Sequence, residues 1–250
     1  MEKFQAFVAF LKITLNYHYN HRVCPAHDMN HSREMILLGR KIKALSLYKT
    51  LDLDEFEVAC WIHSTDRSGT LRETIGFKNG MPMPEYLEKW KAFLTQLLAD
   101  SPFDYNARDR IIDAVLQHAK KDDESKDSVL LTSLRIADKV VRFSTIGISS
   151  ISANHRDNAF YDVKNPFNYD STEETKLKSV YNDFCRVLEW YKMLPSDQAR
   201  SLISIDDLKF QVLFQRRMGA QIAEIAEKKN EVENDIMKAL GKYYELVKED

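Results

Sequence analysis

Apolar residues return every three to four positions along most of the chain, the period of amphipathic helices. Phe4, Phe7, Val8, Leu11 and Leu15 fall on one stripe of a first helix, and Lys12 interrupts what would otherwise be a continuous apolar run. That interruption, with no small-residue cleavage site after it, makes the N-terminal segment a packed amphipathic helix rather than a signal peptide. A polar, aromatic and histidine-rich stretch from Tyr17 to Asp28 follows, then a second helix with His31, Met35, Leu38, Ile42 and Leu45 on one face. Asp52 or Asp54 is the N-cap candidate for a third helix, in which Phe56, Ala59, Cys60 and His63 recur at i, i+3, i+4 and i+7.

From Ser68 to Glu88 the pattern lapses, and Gly69, Gly76, Gly80, Pro82 and Pro84 mark a long loop or a short helical insertion. Helices resume at about Tyr86 to Ala99 and again at about Asn106 to Lys120, where Ile111, Val115, Leu116 and His118 cluster. An acidic run, Lys121 to Asp127, leads to a helix with Leu131, Leu134, Asp138 and Val141 on one stripe. Ser149 to Glu174 is expected to be a long irregular loop, of the kind that often carries function. Two helices close the chain, Leu177 to Leu194 and Phe210 to about Val247. In the last, Ile222, Ile225, Val232, Ile236, Ala239, Tyr243 and Leu246 recur near heptad spacing with Lys229 in the seam, which predicts a docked terminal helix, with a homodimer contact as the alternative. No internal repeat or boundary interrupts this order. One domain over residues 1–250 is expected, with a core at about 17–221, an insertion at about 68–88 and the terminal helix at about 210–247.

Composition narrows the fold class. Seven Gly and six Pro in 250 residues are too few turn formers for a β-sandwich, so the expectation is an all-α helical bundle. A chain of this length buries roughly 70–75% of its unfolded surface, enough for a substantial core. The formal charge of −2 gives no global attraction for DNA or an anionic membrane, so any phosphate binding must be local. No apolar run approaches the roughly 18–20 residues that span a bilayer. Cys24, Cys60 and Cys185 are odd in number, widely spaced and set in apolar helical patterns, which reads as reduced core thiols in a cytoplasmic protein and excludes a CxxC zinc site.

Against this background three residues stand out. His31, His63 and Asp138 lie on the apolar stripes of three separate helices, where burying an unpaired polar or charged group costs several kcal/mol. Any one such histidine is accounted for by a hydrogen-bonded core imidazole; the three together call for a common partner.

The order His, then His-x, then a distal Asp, each on a helix, resembles the HD-domain superfamily of metal-dependent phosphohydrolases, most closely its small bacterial hydrolases. The segment Ala26-His27-Asp28-Met29-Asn30-His31-Ser32-Arg33-Glu34-Met35 reproduces the spacing of the family's Ser-His-Asp-x-x-His-x-x-Arg-Val. Ala137-Asp138-Lys139-Val140 and Thr145-Ile146-Gly147-Ile148 follow its Ala-Asp-Arg-Leu and Ala-Ile-Gly-Ile in register. The resemblance runs from about Tyr17 to Gln221.

What the resemblance implies is a divalent metal held by His31, His63 and Asp138, with His27, Asp28 and His118 near it as water-orienting or phosphate-contacting groups. Mixed imidazole and carboxylate ligation suits Mn²⁺, Fe²⁺, Ni²⁺ or Zn²⁺ better than Ca²⁺. Arg33 and Lys139 are candidates to meet a substrate phosphate, with exposed ion pairs as the plain alternative. The substrate class implied is a nucleotide or another small phosphate ester.

The sequence departs from the family at its defining dipeptide, which is His63-Ser64 here, and again at Val140-Val141 where the family has Leu-Asp. Asp66 shares the face of His63 if the third helix continues, which makes it a candidate replacement carboxylate; surface pairing with Arg67 or Arg72 is the other reading. Three functions stay open at this point. They are a metal-dependent phosphohydrolase, a catalytically degenerate relative that binds a ligand or regulates, and a helical interaction protein with a hydrogen-bonded polar cluster.

Overall fold

The computed structural model describes residues 2–20, 28–67, 69–77, 81–118, 127–154, 158–161 and 179–225. Among these the chain is all-α: eleven α-helices and no strand, with one isolated bridge between Ala159 and Ser179. It divides into two compact units, Met1–Val141 and Arg142–Asp250, where one domain was expected. Nothing in the sequence marks that division, because Val140, Val141 and Arg142 run from a helix directly into a 3-10 turn without Gly or Pro.

The first unit is arranged around α3 (Leu53–Ile62), which contacts α1 (Glu2–Asn20), α2 (Met29–Ala44), α6 (Tyr105–Gln117) and α7 (Val129–Val140). Its residues Phe56, Val58, Ala59, Cys60, Trp61 and Ile62 are all buried, so this helix is apolar on nearly every side, as a central helix must be. Asp52 is its N-cap and accepts from the amides of Asp54 and Glu55. The stripe Phe4, Phe7, Val8, Leu11 and Leu15 of α1 is buried as its spacing predicts. Helices α2 and α3 approach closely at Gly39, where a Cβ would stand 2.8 Å from the Phe56 ring.

The expected insertion holds a helix, α4 (Gly69–Ile75), and the first turns of α5 (Met83–Leu97). Gly76 ends α4 at φ 79°, a left-handed backbone that glycine adopts without a Cβ penalty. Asp104 caps α6 through the Ala107 amide, and Ser128 caps α7 through the Leu131 amide.

The second unit contains α8 (Thr145–Asn154), α9 (Val180–Lys192), α10 (Asp197–Arg200) and α11 (Ile205–Ile225). Helix α8 occupies the start of what the sequence presents as a loop. Its Ser149 and Ser152 hydroxyls donate to the carbonyls of Thr145 and Ile148, one turn back, while Ile148 and Ile151 are buried. Residues 162–178 and 226–250, including most of that loop and the second half of the expected terminal helix, lie outside the described residues. In the interior of this unit Gln211 donates to the carbonyls of Arg142 and Phe143, and Gln215 donates to the Phe184 carbonyl at 2.8 Å.

Candidate metal centre

Four helices of the first unit bring the site together. His31 lies in the opening turn of α2, fixed by the Asp28 cap, whose Oδ1 accepts from the amides of Asn30 and His31, both at 2.9 Å. Asp138 lies near the end of α7, and its Oδ1 is 3.0 Å from His31 Nε2. His63 is the C-cap of α3 and is fully buried, its Nδ1 2.8 Å from the Cys60 carbonyl. His118 is the C-cap of α6, also buried, its Nδ1 2.6 Å from the Val115 carbonyl. The His63 ring is centred 5.3 Å from that of His31 and 5.4 Å from that of His118.

These contacts fix the chemistry of the rings. A carbonyl oxygen only accepts, so Nδ1 of His63 and of His118 must carry the proton, and in the neutral ring Nε2 then bears the lone pair. Burial keeps the rings neutral. It pushes the His63 pKa well below its ordinary value, with His31 and His118 adding to the effect, and it lowers that of His118 as well. A ring whose far nitrogen is anchored on a backbone carbonyl is the arrangement that orients a histidine ligand.

One ligand atom from each of His31, His63 and Asp138 lies within 4.8 Å of the others, so these residues form a group able to hold a metal ion. Ligands about 2.0–2.2 Å from a shared ion and at right angles are about 3 Å apart. The His31–Asp138 contact is already at that spacing. Asp138 keeps 30% of its side chain exposed, which leaves the group accessible from one side.

The other residues nominated from sequence are placed differently. Asp28 is engaged as the α2 cap, which positions His31. Arg33 is exposed and donates to Asn30 Oδ1 at 3.2 Å, while Lys139 is half-buried beside Asp138 on α7. Ser64 is buried. Helix α3 stops at Ile62, so Asp66 does not share a helical face with His63; it sits in a 3-10 turn, Thr65–Arg67, buried and hydrogen-bonded to Tyr86 rather than paired at the surface. His27 and Cys24 lie outside the described residues; Cys60 and Cys185 are buried, and neither forms a disulfide among the described residues.

Sequence reasoning passed over Arg135. It lies three residues before Asp138 on α7, buried, and it donates to the carbonyls of Gln117 and His118 while pairing with Asp127. One guanidinium thus ties the end of α6, with His118, to the helix that carries Asp138. The signal was present, because Leu131, Arg135 and Asp138 stand at i, i+4 and i+7, and a charge on a buried stripe needs partners. Tyr86, Trp90 and Thr65 were also passed over, since none breaks the apolar pattern.

No family model and no curated protein matches the chain. Among solved structures, a crystal structure of a Lactobacillus plantarum protein, determined as a structural genomics target, is similar to it with a TM-score of 0.59. The two share 16% identity, over 88% of this chain and 98% of that one. At that identity the likeness supports the all-α fold alone. No described helix is long and apolar enough to cross a membrane.

Proposed function

We propose that this protein is a metal-dependent phosphohydrolase of the HD-domain type that acts on a nucleotide or another small phosphate ester. The observation that carries the reading is the convergence of His31, His63 and Asp138 from three helices into one group of ligand atoms. The donor set of two imidazoles and a carboxylate fits Mn²⁺, Fe²⁺, Ni²⁺ or Zn²⁺. When bound, such an ion polarises a phosphoryl oxygen and makes water acidic enough to attack near neutral pH.

The protein's own groups supply orientation and proton handling. Asp28 and the Cys60 carbonyl set the directions of His31 and His63. His118, kept neutral by burial with its lone pair on Nε2, accepts a proton from water or a hydrogen bond from a protonated phosphate oxygen. Lys139, adjacent to Asp138 in sequence, is the cation we assign to the substrate's negative charge. Buried cysteines at positions 60 and 185 with no disulfide among the described residues suit a reducing cytoplasm.

Ser64 favours a second reading, a binding module that keeps the metal and the phosphate but does not turn the ester over. One experiment separates the two. Metal content is measured on the purified protein, and nucleotides and small phosphate esters are screened with added Mn²⁺, wild type beside His63→Ala and Asp138→Ala. Turnover by wild type alone is the expected result. Bound metal without turnover favours the binding module, and no metal in any condition overturns both.

A further inference from the structure

The outward face of α2 is cationic and apolar at once. Arg33, Leu37, Arg40, Lys41 and Ala44 are all exposed. At roughly 3.6 residues per turn they share an arc of about 100° that runs about 16 Å along the helix, opposite the buried stripe of His31, Met35 and Ile42. The 3-10 turn that follows, Ser46–Tyr48, extends the face with Leu47 and Lys49, both exposed. From Met29 to Thr50 the chain holds five cations and one acid, Glu34.

These cations lack the counter-charges that surface bases have elsewhere. Lys12 is matched with Glu57, Lys89 with Glu85, Arg110 with Glu55, Lys192 with Glu189 and Arg200 with Asp197. Arg40, Lys41, Lys43 and Lys49 make no ion pair among the described residues. The helix dipole accounts for Lys41 and Lys43 in the last turn of α2. It does not account for Arg33, toward the other end, or for Leu37, which stands 75% exposed between the cations, with Leu47 at 59% beyond them.

Charge and apolarity together select the partner. A polynucleotide would use the cations, but exposed leucines gain nothing from its backbone, and the arc has no aromatic ring on which a base could stack. An anionic bilayer uses both kinds of side chain. Its headgroups meet Arg and Lys, and aliphatic groups enter the acyl boundary beneath while the long stems of the bases reach past them. We propose that the outer face of α2 is a docking surface for an anionic lipid bilayer, with the helix parallel to the membrane plane and Leu37 and Leu47 entering between headgroups held by Arg40, Lys41 and Lys49. No described helix is able to cross a membrane, so the attachment is peripheral and reversible. The formal charge of −2 leaves the rest of the chain with an excess of acid, which is repelled by an anionic surface and turns this face toward it. Docking needs neither the metal nor the substrate of the first unit.

Sedimentation with vesicles tests this on the whole chain. Vesicles of phosphatidylcholine alone, or of phosphatidylcholine mixed with phosphatidylserine, are titrated into the protein, and the bound fraction is read after centrifugation. Binding is expected only where phosphatidylserine is present, and it should weaken as salt rises. Arg40→Gln with Lys41→Gln should weaken it about 10–30-fold, and Leu37→Ser severalfold. Arg216→Gln with Arg217→Gln removes the same charge from exposed positions of α11 and should change nothing. The altered side chains are all exposed, so unchanged thermal unfolding separates lost docking from a lost fold. No binding to either vesicle, equal binding to both, or an equal loss in the α11 pair overturns the membrane surface. Loss in the Arg40 and Lys41 variant without loss in Leu37→Ser also overturns it, and assigns the face to an acidic protein segment instead.

Discussion

Two sets of deeply buried polar side chains follow opposite rules. In the second unit Gln211 and Gln215 are fully buried, and their amide donors point at backbone carbonyls, with Gln215 Nε2 also meeting Gln211 Oε1 and the Tyr181 hydroxyl closing on the Gln215 carbonyl. One atom there, Gln215 Oε1, is left over. In the first unit His31 Nε2 meets the Asp138 carboxylate at 3.0 Å, and the Nε2 lone pairs of the carbonyl-anchored His63 and His118 rings add acceptors around that pair. Donors facing acceptors need nothing further and hold a fold together. Acceptors facing acceptors repel unless a proton, as between His31 and Asp138, or a cation lies between them. Burial of polar groups alone therefore says little about function; the balance of donors and acceptors says much more.

The contrast yields predictions of decreasing size. His63→Ala and Asp138→Ala should remove detectable Mn²⁺ binding in a titration and hydrolysis with it; binding at wild-type strength in either variant would put the first set on the same footing as the glutamines. Gln211→Ala should lower stability by about 2–4 kcal/mol in urea denaturation, from a cavity and from carbonyls left without donors, with Mn²⁺ affinity unchanged. A third test uses pH on metal-free protein. His63 and His118 have folded pKa values below their unfolded ones, so their stabilisation is complete above about pH 6.5, the ordinary imidazole value. It is lost as pH falls from there toward the folded pKa values, where the unfolded chain binds more protons. Urea curves at pH 7.5 and 5.5 should show this loss in wild type and less of it in His118→Gln; equal losses would mean that His118 does not titrate on unfolding. The smallest effect belongs to the Glu55–Arg110 pair, whose arginine is half-exposed. Arg110→Ala should change stability by less than about 1 kcal/mol, and a larger effect would show that surface charge matters here as much as the interior sets do.

Much of this was legible in the sequence, because helical periodicity is a local property. The stripes of α1, α2, α3 and α7 follow from spacing alone, and His31, His63 and Asp138 draw notice because they stand on such stripes. What was not legible depends on contacts distant in sequence. The end of α3 at Ile62 moves Asp66 off the face of His63, and its carboxylate is met by the Tyr86 hydroxyl from twenty residues later. Ser149 and Ser152 read as loop formers until their hydroxyls find carbonyls one turn back. Arg135 was passed over although it stands on a buried stripe, and its partners could not be named from sequence because two of them are carbonyls at the end of another helix, a class of acceptor that no residue type announces.

Gly39 gives the metal centre a mechanical side. Its missing side chain lets α2 rest against the Phe56 ring, eight residues from His31 along one helix and seven from His63 along the other, about 12 Å and about 10 Å at 1.5 Å per residue. The contact works as a fulcrum, with the two histidines at the ends of arms of nearly equal length. A methyl group at position 39 would wedge the helices there, and a shift of a few tenths of an ångström at the pivot would appear at the far ends as a change of gap between two rings now 5.3 Å apart. The spacing of the candidate ligands is in this sense set by a residue that never approaches them.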